Sequence, residues 1–465
     1  MINMAIFTLV TQSLSIRTYL IIEDVSKKAL VIDPTRDIEP ILKLLRQYDA
    51  DLLFILETHV HADFVSGAKE LKVHLKNKPK IYCSGMGGES WVPKYADGVL
   101  HDREELILGS LMLQAWHTPG HTPEHLMYVL YSEKEPLAAF TGDFLFSGSV
   151  GRPDLLGLKE LKTLTADLYH SIFGVLPNLP GDLRVLPAHG AGSLCGKAIA
   201  GHSETTLERE WATNPALQSA DEKIWREKLL EEMPQVPSYF HHLKKLNIFG
   251  APLLNEIQPM SQIGAAVFEK LLQSPKYFLL DIRNQEQFAA NHLKRSLNIP
   301  WSGNFLRWCG EYVPYDIPVI LISTSPEILF SAEKALRLIG IDPLFGYALE
   351  GGGFPQELTK ELQSFFMIEG AQLLQQIKNF ELIDVRTDAE WVRGSIAGAK
   401  HYEVCNVKEH LKKMPQNKKI VFICSGGYRS SIAASLAQKN GIVDVSCLRG
   451  GMDAWLLAQL PVDRK

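Results

Sequence analysis

The feature that most constrains this 465-residue chain is a repeat in its second half. Tyr277–Arg283 (YFLLDIR) resembles Phe380–Arg386 (FELIDVR), and Val319–Ser323 (VILIS) resembles Ile420–Cys424 (IVFIC). A helical run ending in Gly-Ile follows each of the latter, at Gly340-Ile341 and Gly441-Ile442. A strand closing in a Gly pair comes next, at Leu349–Gly352 and Leu448–Gly451. Two copies spaced by about 100 residues demand two copies of one small fold. Strand and helix alternate, so each copy is expected to be an α/β unit with a parallel sheet.

Ahead of the repeat, short β runs mix with amphipathic helical patterns, as at Ile38–Tyr48, Gly67–Lys76 and Leu158–Ile172. The charged stretch Thr205–Glu232 reads as helical. Pro234, Pro237, Pro252 and Pro259 punctuate its exit. A boundary near residue 250 follows, and with it three domains: 1–250, 260–355 and 365–465.

Composition narrows the setting. The six cysteines are scattered and form no CxxC pair, which fits a reducing compartment. No apolar run approaches a membrane span, and the N-terminus lacks the basic start and small-residue cleavage site of a signal peptide. The cytoplasm is therefore the expected location. A net charge of −5 supplies no electrostatic reason for nucleic acid or an anionic membrane as partner.

In the first region, Glu57–Gly67 (ETHVHADFVSG) follows the apolar strand Leu52–Leu56. It should lie on a loop at a strand's C-terminal end, where α/β proteins build ligand sites. His59, His61 and Asp63 alternate there. His121 (TPGHT), Asp143 (TGD) and His189 (PAH) follow further strand-like runs. Imidazoles and carboxylates converging from strand ends make a mixed N/O site for a divalent metal. His117 and His125 are assigned to local structure.

This ordered set resembles the metallo-β-lactamase superfamily over residues 1–245, and within it the persulfide dioxygenases, with glyoxalase II as the nearest hydrolytic relative. The resemblance implies an αββα sandwich. The family motif ends Ala-Asp-His, whereas this chain has Ala62-Asp63-Phe64. A phenyl ring cannot coordinate, so a second metal position should be crippled. His59, His121 and Asp143 remain, the two-imidazole, one-carboxylate set of non-haem Fe(II) oxygenases. The resemblance thus implies one Fe(II) per chain, with a thiol persulfide and O2 converted to sulfite and free thiol. His61, Asp63 and His189 would orient ligands and hold water. Arg152 (GSVGRPD) either binds a carboxylate of the thiol carrier or pairs with Asp154. Cys195 either relays sulfur at the site's mouth or is inert.

In the second repeat, Cys424-Ser-Gly-Gly-Tyr-Arg429 joins an apolar strand to an Ala-rich helix. A cysteine at a helix N-terminus gains thiolate character. Gly426 and Gly427 let backbone N–H groups turn inward as an anion cradle, and Arg429 adds positive charge. This Cys-x4-Arg loop, with Asp384–Arg386, Glu390 and the closing LRGG, resembles rhodanese domains over residues 365–465. Gly394-Ser395-Ile396 departs from that family's usual Gly-His-Ile. The first repeat has Ser323 where Cys424 falls and Ile328 where Arg429 falls, so residues 260–355 should keep the fold without the chemistry. The combined expectation is a bifunctional enzyme of sulfide detoxification that forms a homo-oligomer and has no nucleic-acid or membrane partner. Its sulfur substrates are a persulfide and sulfite or thiosulfate. Two alternatives stand: a binuclear thioesterase of the glyoxalase II type, and a metal-binding scaffold that serves Cys424.

Overall fold

The computed structural model describes residues 4–231, 233–350, 354, 356–414 and 418–464. It divides into two compact units: residues 1–257 with 335–340, and residues 258–334 with 341–465. Gly351 and Gly352 of the first Gly pair, and Glu232 at the end of the charged stretch, lie outside the described residues.

The first unit stacks two six-stranded sheets. One runs in the order Met4–Thr11, Ile16–Glu23, Lys28–Ile32, Asp51–Leu56, Lys80–Ser84, Gly98–Leu100. The other runs Thr205–Thr206, Arg184–Pro187, Glu135–Gly142, Leu126–Ser132, Leu111–His117, Glu105–Leu108. Every residue of Ile16–Glu23 is buried, because both faces of that sheet are covered. Side chains alternate across a strand. Tyr19 and Ile21 therefore meet Leu126, Tyr128 and Phe140 of the opposite sheet. Leu20 and Ile22 face outward, toward Ile41, Leu42 and Leu45 of helix Glu39–Tyr48. Helix Leu158–His170 covers the second sheet through Leu168. The result is an αββα sandwich.

The charged stretch is not one helix. It comprises helix Leu207–Thr213, a turn at Pro215–Leu217 and helix Glu222–Leu230. Pro215 supplies no N–H to continue the first helix. The Asn214 side chain instead accepts from the Ala216 N–H at 3.0 Å and starts the turn.

The second unit contains two five-stranded sheets of matching order. The first has Ser261–Gln262, Leu344–Leu349, Val319–Ser323, Phe278–Asp281, Leu297–Asn298; the second has Phe366–Ile368, Val445–Leu448, Lys419–Ile423, Phe380–Asp384, Lys400–His401. Every pairing in both is parallel. Each repeat also keeps the same anchor: Arg283 grips Asp281 at 2.6 Å, and Arg386 grips Asp384 at 2.7 Å. Among the described residues, no helix is long and apolar enough to cross a membrane.

Helix Tyr428–Lys439 of the second repeat is buried from Ser430 to Gln438 although its face is not strongly apolar. Small residues let it pack closely, and the first repeat satisfies its polar groups. Ser431 donates to the Asn298 side chain at 2.5 Å, and the Ser435 hydroxyl accepts from the Asn298 backbone N–H at 3.0 Å. The His292 ring nitrogen Nε2 lies 2.9 Å from Gln438 Oε1.

Candidate metal centre and thiol loop

His59 stands just past strand Asp51–Leu56, and Asp143 just past strand Glu135–Gly142. Gly142 between strand and ligand has φ +51°, and a Cβ there would come within 2.7 Å of the Thr58 hydroxyl. Glycine therefore permits the turn that delivers Asp143. His125 holds the same turn from below: its Nε2 accepts the Asp143 N–H at 3.1 Å, and its Nδ1 meets Thr118 Oγ1 at 2.9 Å.

The ligand atoms of His59, His121 and Asp143 all lie within 4.8 Å of one another, and all three residues are buried. His121 Nδ1 donates to the Arg152 carbonyl at 2.9 Å, leaving Nε2 as an acceptor 3.4 Å from Asp143 Oδ2. His59 Nδ1 lies 3.0 Å from the Thr58 hydroxyl, and its Nε2 is 3.8 Å from the same carboxylate oxygen. Burial keeps both rings neutral, pushing His121 down to about 3 and His59 well below its ordinary value. Neither Asp143 oxygen has a hydrogen-bond partner. Burial first, then the charge of Asp63, pushes its carboxyl up. Lone pairs from two imidazoles and an orphaned carboxylate thus face one point, an arrangement that a cation relieves. The residues present fit a divalent metal.

His61 does not join them. Its Nε2 lies 3.0 Å from Asp33 Oδ1 and 3.4 Å from Glu57 Oε2. Burial alone would depress its pKa, but these two carboxylates override burial and hold it well above the ordinary value. Asp33 also accepts from the Thr58 N–H and hydroxyl at 2.7 and 2.8 Å, which ties His61's partner to His59's neighbour. No sequence spacing links Asp33 to His61; the adjacent parallel strands Lys28–Ile32 and Asp51–Leu56 bring them together. The buried Phe64 ring packs on His61, centroids 4.3 Å apart.

Asp63, His189 and Cys195 form a neighbouring buried cluster. His189 Nε2 is 3.3 Å from Asp63 and 3.4 Å from Asp143 Oδ1, so Asp143 faces both clusters. Burial, then the charges of Asp63 and Asp143, push the Cys195 thiol well above its ordinary value. Arg152 is buried and forms a two-point pair with Asp154 at 2.6 and 2.7 Å. Its guanidinium also donates to the Leu194 and Pro234 carbonyls. All these partners lie inside the fold, and the carbonyl of Arg152 orients His121.

In the second unit, Cys424 ends strand Lys419–Ile423 and Gly427 caps helix Tyr428–Lys439 at φ +97°. Cys424 Sγ accepts the Gly427 N–H at 3.1 Å and lies 3.5 Å from Ser430 Oγ. Arg429 pairs with Glu390 through both ends, at 2.6 and 2.7 Å. In the first repeat, the Ser323 hydroxyl accepts the Ser325 N–H at 3.2 Å, and Ser325 donates to Glu327 at 2.7 Å. That loop has Ile328 where the second has Arg429, and it carries the carboxylate of Glu327 one residue earlier.

The metallo-beta-lactamase superfamily model matches residues 14–189, and the rhodanese-like domain model matches residues 264–352 and 369–458. Human mitochondrial persulfide dioxygenase ETHE1 is 30% identical over 208 residues, covering 44% of this chain and 73% of its own length. Hydroxyacylglutathione hydrolase GloC of Haemophilus influenzae is 31% identical over 215 residues, covering 43% and 92%. A solved metallo-beta-lactamase from Staphylococcus aureus superposes with a TM-score of 0.67 at 29% identity, spanning 75% of this chain and 99% of its own. With its paired sheets, its cluster of buried metal-ligating side chains and its duplicated parallel-sheet repeat, this chain belongs to the metallo-β-lactamase superfamily and carries two rhodanese-like domains after that fold.

Proposed function

We propose that the first unit oxidises a thiol persulfide to sulfite at a single Fe(II) held by His59, His121 and Asp143, and that Cys424 transfers sulfane sulfur. The observation that carries the first half is the position of His61. Its ring packs 4.2 Å from that of His59, but its Nε2 lies against the Asp33 and Glu57 carboxylates and does not group with the ligand atoms of His59, His121 and Asp143. What is left is two imidazoles and one carboxylate, the donor set suited to a non-haem Fe(II) oxygenase with open positions. Bound Fe(II) would supply electron donation to O2 and a place for the persulfide sulfur.

The protein's own residues supply orientation and a dry site. The Arg152 carbonyl and the Thr58 hydroxyl fix the ring planes of His121 and His59. His125 fixes the backbone of Asp143. Burial excludes bulk water from the ligand atoms. One O2 and one water convert one persulfide to sulfite and thiol, so no further oxidant is needed. In the second unit, the Gly427 N–H stabilises negative charge on Cys424 Sγ as it accepts sulfur and again as it releases it.

One observation favours a second reading. Asp63, His189 and Cys195 present another ligand set beside Asp143, and a GloC-like thioester hydrolase would use two metals. The readings separate on metal content and oxygen uptake. The Fe(II)-loaded chain is expected to hold about one iron and to consume O2 with a thiol persulfide. His121→Ala should abolish uptake. Cys424→Ser should retain it and lose sulfur transfer. Two metals per chain with thioester cleavage and no persulfide-dependent uptake would replace the dioxygenase reading with the hydrolase one.

A further inference from the structure

The Cys424 loop contains a cation that its own fold has already neutralised. Glu390 sits in the first turn of helix Asp388–Val392, where it completes a capping box with Thr387. Its Oε2 accepts from the Thr387 N–H and hydroxyl at 3.0 and 2.8 Å and from Arg429 at 2.6 Å. Its Oε1 accepts from Arg429 at 2.7 Å and from Ser425 Oγ at 2.5 Å. Ser425 in turn accepts from Arg429 at 2.8 Å. The carboxylate therefore has five donors, and its two ends bracket the loop between Cys424 and the helix. A second acidic group, Asp453, lies 3.7 Å from where a Cβ on Gly426 would stand. The loop offers backbone N–H groups to an anion but no uncompensated positive charge.

We infer that Glu390 is an internal anion that sets the donor class of this loop, favouring a thiol persulfide over dianionic thiosulfate. This inference rests on the reading of Cys424 as the sulfur-transferring thiol. With a persulfide donor, Cys424 Sγ attacks the outer sulfur. The donor's S–S bond breaks, its electron pair leaves on the carrier thiolate, and a persulfide forms on Cys424 without net oxidation. At the reacting sulfurs that exchange carries a single negative charge, which passes from Cys424 to the departing thiolate. With thiosulfate the same S–S bond forms on Cys424, but sulfite departs with the electron pair as a dianion. Stabilising a dianion requires Arg429, and Arg429 is released only by breaking its two bonds to Glu390. Charge-assisted hydrogen bonds of this kind contribute enough that their replacement weakens anion binding by about tenfold. Run toward thiosulfate, the same competition returns Arg429 to Glu390 and speeds product release. Glu390 is a positioning residue here, because it acts through Arg429.

The test uses the full-length iron-loaded chain under nitrogen, so that no persulfide is consumed with O2 in the first unit. Sulfate binding is measured by calorimetry in Cys424→Ser and in Cys424→Ser combined with Glu390→Gln. The KM for thiosulfate and the KM for glutathione persulfide, with cyanide as acceptor, are measured in chains that retain Cys424. Glu390→Gln is expected to tighten sulfate about tenfold and to lower the thiosulfate KM relative to the persulfide KM by a similar factor. Glu390→Asp keeps the charge but shortens its reach, and should fall between the two; it carries the test if Glu390→Gln does not fold. Unchanged or weaker sulfate binding, with an unchanged KM ratio, overturns the inference and leaves Glu390 a capping residue. A wild-type chain that forms no thiocyanate from either donor instead overturns the Cys424 reading itself.

Discussion

At the scale of single residues, the first unit turns on Asp33. Its carboxylate lies 3.0 Å from His61 Nε2 and accepts two hydrogen bonds from Thr58. Asp33→Asn removes one of the two carboxylates that raise the pKa of the buried His61 ring. Leaving a buried charge short of its partner costs on the order of 3–5 kcal/mol. The urea midpoint of the first unit should fall accordingly, and the drop should be small in an Asp33→Asn/His61→Gln double variant, where no unpaired charge is left. Phe64 belongs to the same account. Its ring packs against His61, so the residue that breaks the family's motif also helps to fix that ring in place.

At the scale of elements, helix Tyr428–Lys439 and His292 both contribute to the contact between the two repeats. Helix Tyr428–Lys439 carries the N-terminus that faces Cys424, and the first repeat holds it through Asn298 and His292. Burial pushes His292 down to about 4, although its bonds to Phe288 and Gln438 pull the other way. A buried imidazole with a depressed pKa stabilises the folded state at pH values above its unfolded value of 6.5. That contribution is lost as pH falls through the window from 6.5 to about 4, where the unfolded chain binds the extra proton. The loss amounts to about 3 kcal/mol across the window. Chemical denaturation from pH 7 to pH 4 should show this slope in the second unit, and His292→Gln should flatten it. The packing of this helix relies on Ser431 and Ser435 finding partners on Asn298.

At the scale of the whole molecule, two compact units each enclose their own core. Calorimetry should therefore resolve two transitions rather than one. The transition of the first unit should respond to metal, since His59, His121 and Asp143 face one another without a donor between them. Chelation should lower it by several degrees through lost binding energy and leave the second transition in place. Movement of both transitions together on chelation would contradict independent cores.

Several features were legible in the chain alone. The duplicated Asp-x-Arg, apolar strand and Gly pair announced two copies of one parallel-sheet fold. His59, His121 and Asp143 each followed a strand-like run, and a strand end is where a backbone turn can free a side chain to point at a ligand. The Cys424 loop lay between a strand and a helix for the same reason. Those features depend on local pattern, and local pattern is written in consecutive residues. The partners of His61, the engagement of Arg152 by Asp154 and internal carbonyls, and the approach of Cys195 to Asp63 and His189 depend on which strands lie side by side. The break at Pro215 was visible as a proline, yet the surrounding charge pattern favoured a continuous helix. Which histidines join the cluster with Asp143 was decided by the tertiary structure, because a buried imidazole goes to whichever charge the folded neighbours place within reach.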